Sequence, residues 1–224
     1  MQQNILKHLH KVLGQKLLVN FLKRYDLVII GAHFGIHLKD EIKHIIDKNI
    51  LLVEPVPYNY EILEKEYLNY PNIEICTNAI NNKNEFRNFY FVKKNSIHKL
   101  GKHWASGIGS FNKQHILDHK SKRFKVSEED IQIINIEFIT FEKLTEKYSI
   151  GSINKLQLDV EGAEYNILSD IDFKKLNIKK IFFESKHFDG TFQEGEKLKE
   201  IETKLKSNGY KLTKLDNENI LAEK

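Results

Sequence analysis

Short runs of apolar and β-branched residues alternate along the chain with stretches whose apolar residues recur at helical spacing. The runs predict buried strands at 27–30, 50–53, 73–77, 155–160 and 180–184, with helical stretches between most of them. Strands that alternate with helices form parallel β-α-β units, because each helix carries the chain back to the start of the next strand. The pattern therefore predicts an α/β fold in which a mostly parallel sheet lies between two layers of helices.

Further strands are predicted at 86–92 and 131–139. Near the end of the chain, residues 212–222 predict a hairpin, which would add an antiparallel strand at one edge of the sheet. Before it, Thr191 and Glu194 have the spacing of a capping box, which predicts that a helix opens there.

Two segments depart from the alternation of strands and helices. Residues 4–23 have apolar residues at helical spacing and predict an amphipathic helix that packs on the domain or, alternatively, attaches to a membrane surface. Residues 93–130 show no sustained periodicity and predict a long loop with one short helix. We therefore divide the chain into an N-terminal helix at 1–25 and a single domain at 26–224, with 93–130 as an insertion called the lid segment.

The composition is that of a folded domain. The chain has 224 residues, of which 41% are hydrophobic and 29% charged, and this balance excludes a disordered protein. The single cysteine, Cys76, excludes an intrachain disulfide framework and a multi-cysteine metal site. No apolar run reaches the roughly 18 residues of a membrane span, and lysines interrupt the apolar residues at the N-terminus. We therefore expect no transmembrane segment and a cytoplasmic location.

The charge is unevenly distributed along the chain. The net charge is +4, but residues 1–24 carry five basic residues and no acid. Residues 93–125 carry nine basic residues against one acid, Asp118, which leaves a net −9 for the remainder of the chain. The basic charge is therefore concentrated in the predicted N-terminal helix and the lid segment.

A glycine loop, Gly31 to Gly35, follows the first predicted strand, where glycine permits a sharp turn and close approach of a ligand. Its G-x-x-x-G spacing fits neither a dinucleotide fingerprint nor a P-loop, and a purely structural turn is the alternative. Glu54 ends the second strand, where a carboxylate can accept hydrogen bonds from both ribose hydroxyls, unless it is a solvent-facing acid. The residues after the third strand are placed to contact an adenine ring. The candidate cofactor-binding residues are Gly31, Ala32, His33, Gly35, Glu54, Asn78 and Ala79.

A second cluster of polar residues follows the strand at 155–160. This strand delivers Asp159 and Glu161 to its carboxyl end, and Gly162 begins a helix. In open α/β sheets ligands bind at that edge, and two carboxylates there need cations, hydroxyls or helix N-terminal amides as partners. Capping of the helix by Asp159 or Glu161 is the alternative interpretation.

These segments together resemble the FkbM family of S-adenosylmethionine-dependent methyltransferases. The resemblance is carried by 28–35, 53–55 and 158–168, is supported by 138–144 and 182–187, and covers roughly 26–190. It implies a Rossmann-like class I methyltransferase fold: a mostly parallel seven-stranded sheet with helices on both faces and an antiparallel edge strand. It also implies S-adenosylmethionine as the cofactor and O-methylation of sugar or polyketide hydroxyls as the usual reaction. Two positions depart from the family pattern, which usually has Asp at the position of Ile29 and Asn at that of His33.

Methyl transfer to a hydroxyl needs an aligned nucleophile and a group that takes its proton. Asp159 and His187 are the candidate bases, since both follow predicted parallel strands and so reach the same edge of the sheet. Glu161 and Glu184 are candidates for orienting the acceptor or the base. Mg²⁺ held by Asp159 and a neighbouring acid is an alternative way to activate the acceptor, and we assign no metal ligand.

The basic lid segment lies in sequence between the cofactor-binding half and the acidic edge. Trp104 could stack on a sugar or pack in the core, and the residues from Ser106 to Ser110 could offer amides to an anion. We therefore expect an acidic acceptor, such as a phosphorylated sugar, a nucleotide-linked sugar or an acidic glycan, contacted by lysines that include Lys99 and Lys113. A solvated lysine-rich loop is the alternative.

Other functions also fit parts of this pattern. A nucleic-acid (RNA) methyltransferase would use the basic segments as a phosphate footprint, but only three residues are Arg. A non-catalytic module that binds S-adenosylmethionine would be consistent with Ile29 and His33. The glycine spacing disfavours a dinucleotide-dependent oxidoreductase. The sequence leaves open the identity of the acceptor and whether the protein is a homo-oligomer.

Overall fold

A computed structural model describes residues 22–101, 103–121 and 124–224. The predicted N-terminal helix lies almost entirely outside this part of the chain. Thirteen strands are present in the described ranges. They are β1 (Lys23–Ile30), β2 (Ile50–Val53), β3 (Ile73–Cys76), β4 (Ala79–Ile80), β5 (Glu85–Val92), β6 (Gly109–Ser110), β7 (Lys120–Ser121), β8 (Phe124–Lys125), β9 (Ile131–Ile139), β10 (Ile150–Leu158), β11 (Asn177–Glu184), β12 (Lys211–Lys214) and β13 (Asn219–Glu223).

Seven α-helices connect these strands within the same ranges. They are α1 (Lys39–His44), α2 (Pro57–Glu66), α3 (Lys94–Leu100), α4 (Lys113–Asp118), α5 (Phe141–Lys147), α6 (Glu164–Asp170) and α7 (Glu196–Ser207). Three short 3-10 helices span Ile36–Leu38, His103–Gly107 and Glu128–Asp130. None of the helices in the described part of the chain has the length and apolar character needed to cross a bilayer.

The main sheet has seven strands in the order β12-β13-β11-β10-β1-β2-β3. The pairs from β11 through β3 are all parallel, and β13 runs antiparallel to both β11 and β12. This confirms the α/β fold with a mostly parallel seven-stranded sheet that the family resemblance implied. The antiparallel strand β13 lies one place in from the edge, because the terminal hairpin inserts its second strand against β11 and leaves β12 outermost.

The central strands are apolar throughout because helices cover both faces of the sheet. In β1, Leu27 and Ile29 pack into the core on one face, while Val28 and Ile30 pack into the core on the other. All four residues are almost completely buried, as are those of β2. The alternation follows from the period of two residues in a strand, and it explains the unbroken apolar runs in the sequence.

The strand predicted at 86–92 belongs to a second sheet. Here β5 pairs antiparallel with β9 along eight residues, in a sheet of order β4-β9-β5-β6. A separate core forms between this sheet and the lid segment and includes Val92, Ala105, Ile116 and Ile131. The lid segment thus contains several short elements, and the prediction of a long loop with one short helix is wrong. Helices of six or seven residues and two-residue strands are too short to leave a periodic signal.

The capping box predicted at Thr191 and Glu194 is also wrong. The helix α7 begins at Glu196, after Gly195. The Thr191 hydroxyl contacts the ring of His115 instead, and Glu194 accepts a hydrogen bond from Ser185. These tertiary partners draw both side chains away from the end of the helix.

Gly31 is required where β1 leaves the sheet. Its φ is +89°, and a Cβ atom there would lie 1.7 Å from the carbonyl oxygen of Asp159. Gly209 has a similar φ of +86°, but a Cβ atom at that position would have no neighbouring atom within 4 Å. The two glycines therefore share a left-handed backbone but differ in the space beside it.

We expect Gly31→Ala to destabilise the protein far more than Gly209→Ala. Both substitutions cost about 1–2 kcal/mol for a side chain in the left-handed region. Gly31→Ala must also displace the Asp159 backbone, which adds about 1–3 kcal/mol or more. Urea unfolding of both variants measures the difference, and equal unfolding free energies would contradict the close contact.

Candidate active site

A cleft with an empty volume of about 510 Å³ opens at the carboxyl ends of β1, β2 and β10. This edge is where open parallel sheets bind ligands. The lining residues are Ile30, Gly31, Val53, Glu54, Pro55, Val56, Asn78, Ala79, Ile80, Phe89, Gly107, Gly109, Ser110, Phe111, Phe138, Asp159, Val160, Glu161 and Ala163. The two polar clusters predicted from the sequence therefore face one cavity.

Glu54 is held rigidly in the wall of this cleft. One carboxylate oxygen accepts the backbone N–H of His33 at 2.8 Å, and the other accepts that of Val56 at 2.9 Å and the Asn59 amide at 3.4 Å. Burial raises the pKa of Glu54 to about 7, although these donors oppose the shift. Glu54 is therefore a hydrogen-bond acceptor held in one orientation, and its protonation state changes near neutral pH. The interpretation of Glu54 as a solvent-facing acid is wrong, because the residue is buried.

The glycine loop contributes unequally to the cleft. Gly31 lines it, whereas the Ala32 side chain packs in the core behind the wall. Gly35 has a φ of +74°, and a Cβ atom there would lie 2.8 Å from Leu63. Ala32 and Gly35 thus shape the loop without lining the cleft.

The two departures from the family pattern have different surroundings. Ile29 is buried in the sheet core and lies outside the cleft. His33 has a φ of +54°, and its ring nitrogen Nε2 is hydrogen-bonded to the hydroxyl of Ser106 in the lid segment. His33 therefore joins the glycine loop to the lid segment.

Other predicted contact residues also lie around the cavity. Asn78, Ala79 and Ser110 line it, and the Asn78 amide is fixed by Glu137 and Lys147. Ser106 lies behind the wall in its bond to His33. The prediction for the side chain of Trp104 lies outside the described part of the structure.

The turn after β10 places Asp159 and Glu161 at the cleft. Glu161 has a φ of +51° and Gly162 a φ of +99°. Glu164, which is fully buried, accepts the backbone N–H groups of Val160 and Gly162 at 2.9 and 3.0 Å. Glu164 thus supplies the backbone contacts that the capping interpretation gave to Asp159 or Glu161, and it leaves both of those carboxylates free of that role.

Asp159 is exposed to the cleft, and neighbouring protein atoms displace part of the water around its carboxylate. This desolvation, with the nearby charge of Glu161, raises the pKa of Asp159 to about 6. A carboxylate with such a pKa remains ionised near neutral pH and is a better base than an ordinary aspartate. Asp159 therefore has the position and the basicity of a proton acceptor.

His187 lies behind Glu161 rather than on the cleft wall. Its Nε2 is 3.3 Å from a Glu161 carboxylate oxygen, and its Nδ1 accepts the backbone N–H of Phe192 at 3.0 Å. Burial lowers the pKa of His187 to about 3. Of the two candidate bases, only Asp159 faces the cavity.

Two histidines of the lid segment join this group. His115 and His119 place Nε2 3.4 and 3.3 Å from the same Glu161 oxygen that His187 approaches. Together with Glu161 and His187 they form what we call the imidazole cluster, whose four candidate ligand atoms all lie within 4.8 Å of one another. Burial alone lowers the pKa of His119, but contact with Glu161 outweighs it and raises that pKa overall.

Glu184 does not line the cleft, although it was predicted to contact the acceptor. One of its oxygens pairs with Lys186 at 2.6 Å, and the other lies 3.6 Å from Nε2 of His187. Burial raises the pKa of Glu184 to about 7. Glu184 therefore lies next to His187 of the imidazole cluster and away from the cleft.

The lysines expected to contact an acidic acceptor have other partners. Lys99 pairs with Glu129 and Asp130 at 2.9 and 3.1 Å, and Lys113 pairs with Glu128 at 2.7 Å. These acids lie just beyond the basic stretch in the sequence and neutralise part of it. Neither Lys99 nor Lys113 lines the cleft, and their contact with an acidic acceptor stays a prediction.

Sequence reasoning missed His115 and His119 as a functional pair. Their spacing of four residues places two imidazoles on one face of a helix, and this was the available signal. Thr191, which contacts His115, and Asn59, which contacts Glu54, left no signal because their partners are not apparent from local patterns.

Solved methyltransferase structures are similar to this chain at low sequence identity. A precorrin-6y C5,15-methyltransferase from Geobacter metallireducens is 11% identical with a TM-score of 0.44, over 92% of this chain and 84% of that one. The fibrillarin of Aeropyrum pernix, solved with natively bound S-adenosyl-L-methionine, is 12% identical with a TM-score of 0.43, over 90% and 67%. The pre-rRNA processing fibrillarin of Methanococcus jannaschii is 12% identical with a TM-score of 0.39, over the same shares.

No curated protein matches the sequence. The family model described as the methyltransferase FkbM domain, however, matches residues 30–212. This match includes the glycine loop, Glu54 and the turn that carries Asp159 and Glu161. The chain therefore belongs to the FkbM family of S-adenosylmethionine-dependent methyltransferases.

Proposed function

We propose that this protein O-methylates a hydroxyl group of a sugar, a glycan or a related small molecule. The observation that carries the proposal is that two carboxylates line the same cleft. Hydrogen bonds to backbone N–H groups fix Glu54, and Asp159 has a raised pKa. One side of the cavity suits a cofactor ribose, and the other suits an acceptor hydroxyl. An enzyme that aligns two substrates gains most of its rate from such placement.

Glu54 and its neighbours would hold S-adenosylmethionine. Glu54 accepts the ribose hydroxyls, because each carboxylate oxygen has acceptor capacity beyond its backbone partner. Gly31 allows close approach of the cofactor, and Asn78 and Ala79 line the part of the wall beyond β3. When bound, the cofactor supplies an electrophilic methyl group on a sulfonium.

Asp159 takes the proton of the acceptor hydroxyl as its oxygen attacks the methyl carbon. Transfer of the cofactor's methyl group to the acceptor oxygen would leave S-adenosylhomocysteine as the second product. Asp159 performs this role because it faces the cleft and because its pKa is raised to about 6. Glu161 borders the same space and holds the lid histidines in place.

The lining of the cleft favours a neutral acceptor. Phe89, Phe111 and Phe138 provide aromatic surface, and Ser110 provides a hydroxyl. No lysine or arginine lines this cleft among the described residues, and Lys99 and Lys113 have acidic partners. Aromatic side chains beside acidic rather than basic groups suit the apolar face of a neutral sugar ring better than a phosphate.

Glu54→Gln tests the cofactor assignment. Loss of one charged acceptor costs about 1.5–3 kcal/mol, so the Kd for S-adenosylmethionine should rise about 10- to 100-fold. Isothermal titration measures the Kd, with circular dichroism to show that the variant is folded. Glu66→Gln, an exposed change on α2, is the matched control. An unchanged Kd in the folded Glu54→Gln variant would refute the ribose assignment.

The same contact predicts a pH dependence of cofactor binding. Glu54 has a raised pKa of about 7 and must be ionised to accept both hydroxyls. Protonation therefore competes with binding, and the Kd should rise about tenfold per pH unit below about 7 and level off above it. Titrations from about pH 5.5 to 8 should show this slope in the wild type and lose it in Glu54→Gln. A flat wild-type profile would argue against this linkage.

Asp159→Asn tests the base. We expect kcat to fall about 10²- to 10⁴-fold, with the Kd for S-adenosylmethionine little changed. Formation of S-adenosylhomocysteine is measured by mass spectrometry with neutral sugars, sugar phosphates, nucleotide sugars, acidic glycans and an RNA oligonucleotide as acceptors. Neutral sugars should be the best acceptors. Turnover with RNA alone, or an Asp159→Asn variant as fast as the wild type, would overturn the proposed reaction.

A further inference from the structure

We propose that the imidazole cluster of His115, His119, Glu161 and His187 binds a divalent transition-metal ion of the Zn²⁺ class. The principal ligands are Nε2 of His115, Nε2 of His119 and one Glu161 carboxylate oxygen, and Nε2 of His187 becomes a fourth ligand when its proton moves to Nδ1. This site is separate from the cofactor contacts of Glu54 and goes beyond the proposed methyl transfer.

The spacing of the donor atoms fits a small ion. Each of the three Nε2 atoms lies 3.3–3.4 Å from one Glu161 oxygen. Ligands placed 2.0–2.1 Å from a tetrahedral ion are about 3.3–3.4 Å apart. Three edges of the ligand tetrahedron are thus already formed, and an ion would draw the remaining pairs, now within 4.8 Å, closer together.

The hydrogen bonds around His119 require a positive charge inside the cluster. Nδ1 of His119 donates to the backbone carbonyl of His115 at 2.8 Å, so Nε2 of the neutral ring carries a lone pair. That lone pair faces a carboxylate oxygen at 3.3 Å. Two electron-rich atoms at this distance repel each other unless a proton or a metal ion lies between them.

Hydrogen bonds to the Nδ1 atoms of His115 and His187 decide whether each Nε2 atom is free to bind an ion. Nδ1 of His115 lies 3.0 Å from the Thr191 hydroxyl, which can accept its proton and leave Nε2 free for an ion. Nδ1 of His187 instead accepts the Phe192 N–H, so its ring proton lies on Nε2, which is buried and makes no hydrogen bond. His187 therefore joins the ion only when this proton moves to Nδ1 and the Phe192 bond is given up. His115, His119 and Glu161 are the principal ligands.

The kind of ion follows from the donors. Imidazole nitrogens suit Zn²⁺, Fe²⁺, Ni²⁺ and Cu²⁺, whereas Mg²⁺ prefers oxygen ligands. The cluster therefore differs from the Mg²⁺ site considered at Asp159.

The ion would join three distant parts of the chain. His115 and His119 come from the lid segment, Glu161 from the turn after β10 and His187 from the loop after β11. Glu161 also lines the cleft, so an ion on its carboxylate lies against the cavity wall. The ion therefore fastens the lid segment to the sheet edge beside the acceptor side of the cleft.

The test is metal titration of the full chain after treatment with a chelator. We expect one equivalent of Zn²⁺ to bind, and Co²⁺ to give the visible absorption of a low-coordinate imidazole site, unaffected by excess Mg²⁺. His115→Ala and Glu161→Gln should abolish this binding. His98→Ala, which removes an exposed histidine of α3, should bind like the wild type.

Thr191→Val provides a second test that leaves all four ligands in place. Loss of an outer hydrogen bond to a ligand should lower the affinity for Zn²⁺ about 10- to 100-fold. Thr203→Val, which changes an exposed threonine on α7, is its control and should not alter that affinity. This variant keeps the proposal testable if His115→Ala or Glu161→Gln does not fold.

Failure to bind Zn²⁺ or Co²⁺ in the wild type would overturn the proposal, and so would binding that survives both His115→Ala and Glu161→Gln. Equal affinity in Thr191→Val and the wild type would also contradict the ligand geometry. Binding of S-adenosylmethionine is titrated separately. Cofactor binding without metal binding refutes only the metal site, and the reverse result refutes only the cofactor assignment.

Discussion

The close approach of Gly31 to the backbone of Asp159 is the constraint on which the rest of the site depends. The two residues end adjacent parallel strands, and contact between their backbones leaves no room for a side chain on residue 31. The chain must therefore turn away at both strand ends, and the cleft opens between the two turns. Glu54 follows β2, on the other side of β1 from β10, and it faces the same cavity as Asp159 while its carboxylate accepts the N–H of His33 from the turn after β1.

Two buried glutamates keep these turns in shape. Glu54 accepts the N–H groups of His33 and Val56, and Glu164 accepts those of Val160 and Gly162. Burial of a carboxyl group is costly unless its oxygens are hydrogen-bonded, and here backbone amides meet that need. Glu54 therefore fixes the backbone of the turns after β1 and β2 and itself faces the cavity. Glu164 fixes the turn after β10, which carries Asp159 and Glu161 into the cavity.

The lid segment completes the cavity through contacts with both turns. Its Ser106 contacts His33 on the cofactor side, and its His115 and His119 contact Glu161 on the other. The lid segment also has a small core of its own. Its basic residues looked like an anion-binding surface in the sequence, but described lysines such as Lys99 are paired with acids nearby in the fold. The positions of these lysines in the fold, rather than the net charge of the lid segment, therefore decide which groups they contact.

The sequence by itself determined the sheet and the residues at its edge. Apolar runs that are buried on both faces predict parallel strands, and Glu54 and Asp159 follow such runs directly, so their placement is a local property. The short elements of the lid segment and the tertiary partners of Thr191 could not be predicted, because they depend on contacts between residues far apart in the chain. Only the tertiary structure decided that His187 lies behind Glu161 while Asp159 faces the cleft. It did so because burial and long-range hydrogen bonds, rather than local spacing, fix the direction of a side chain.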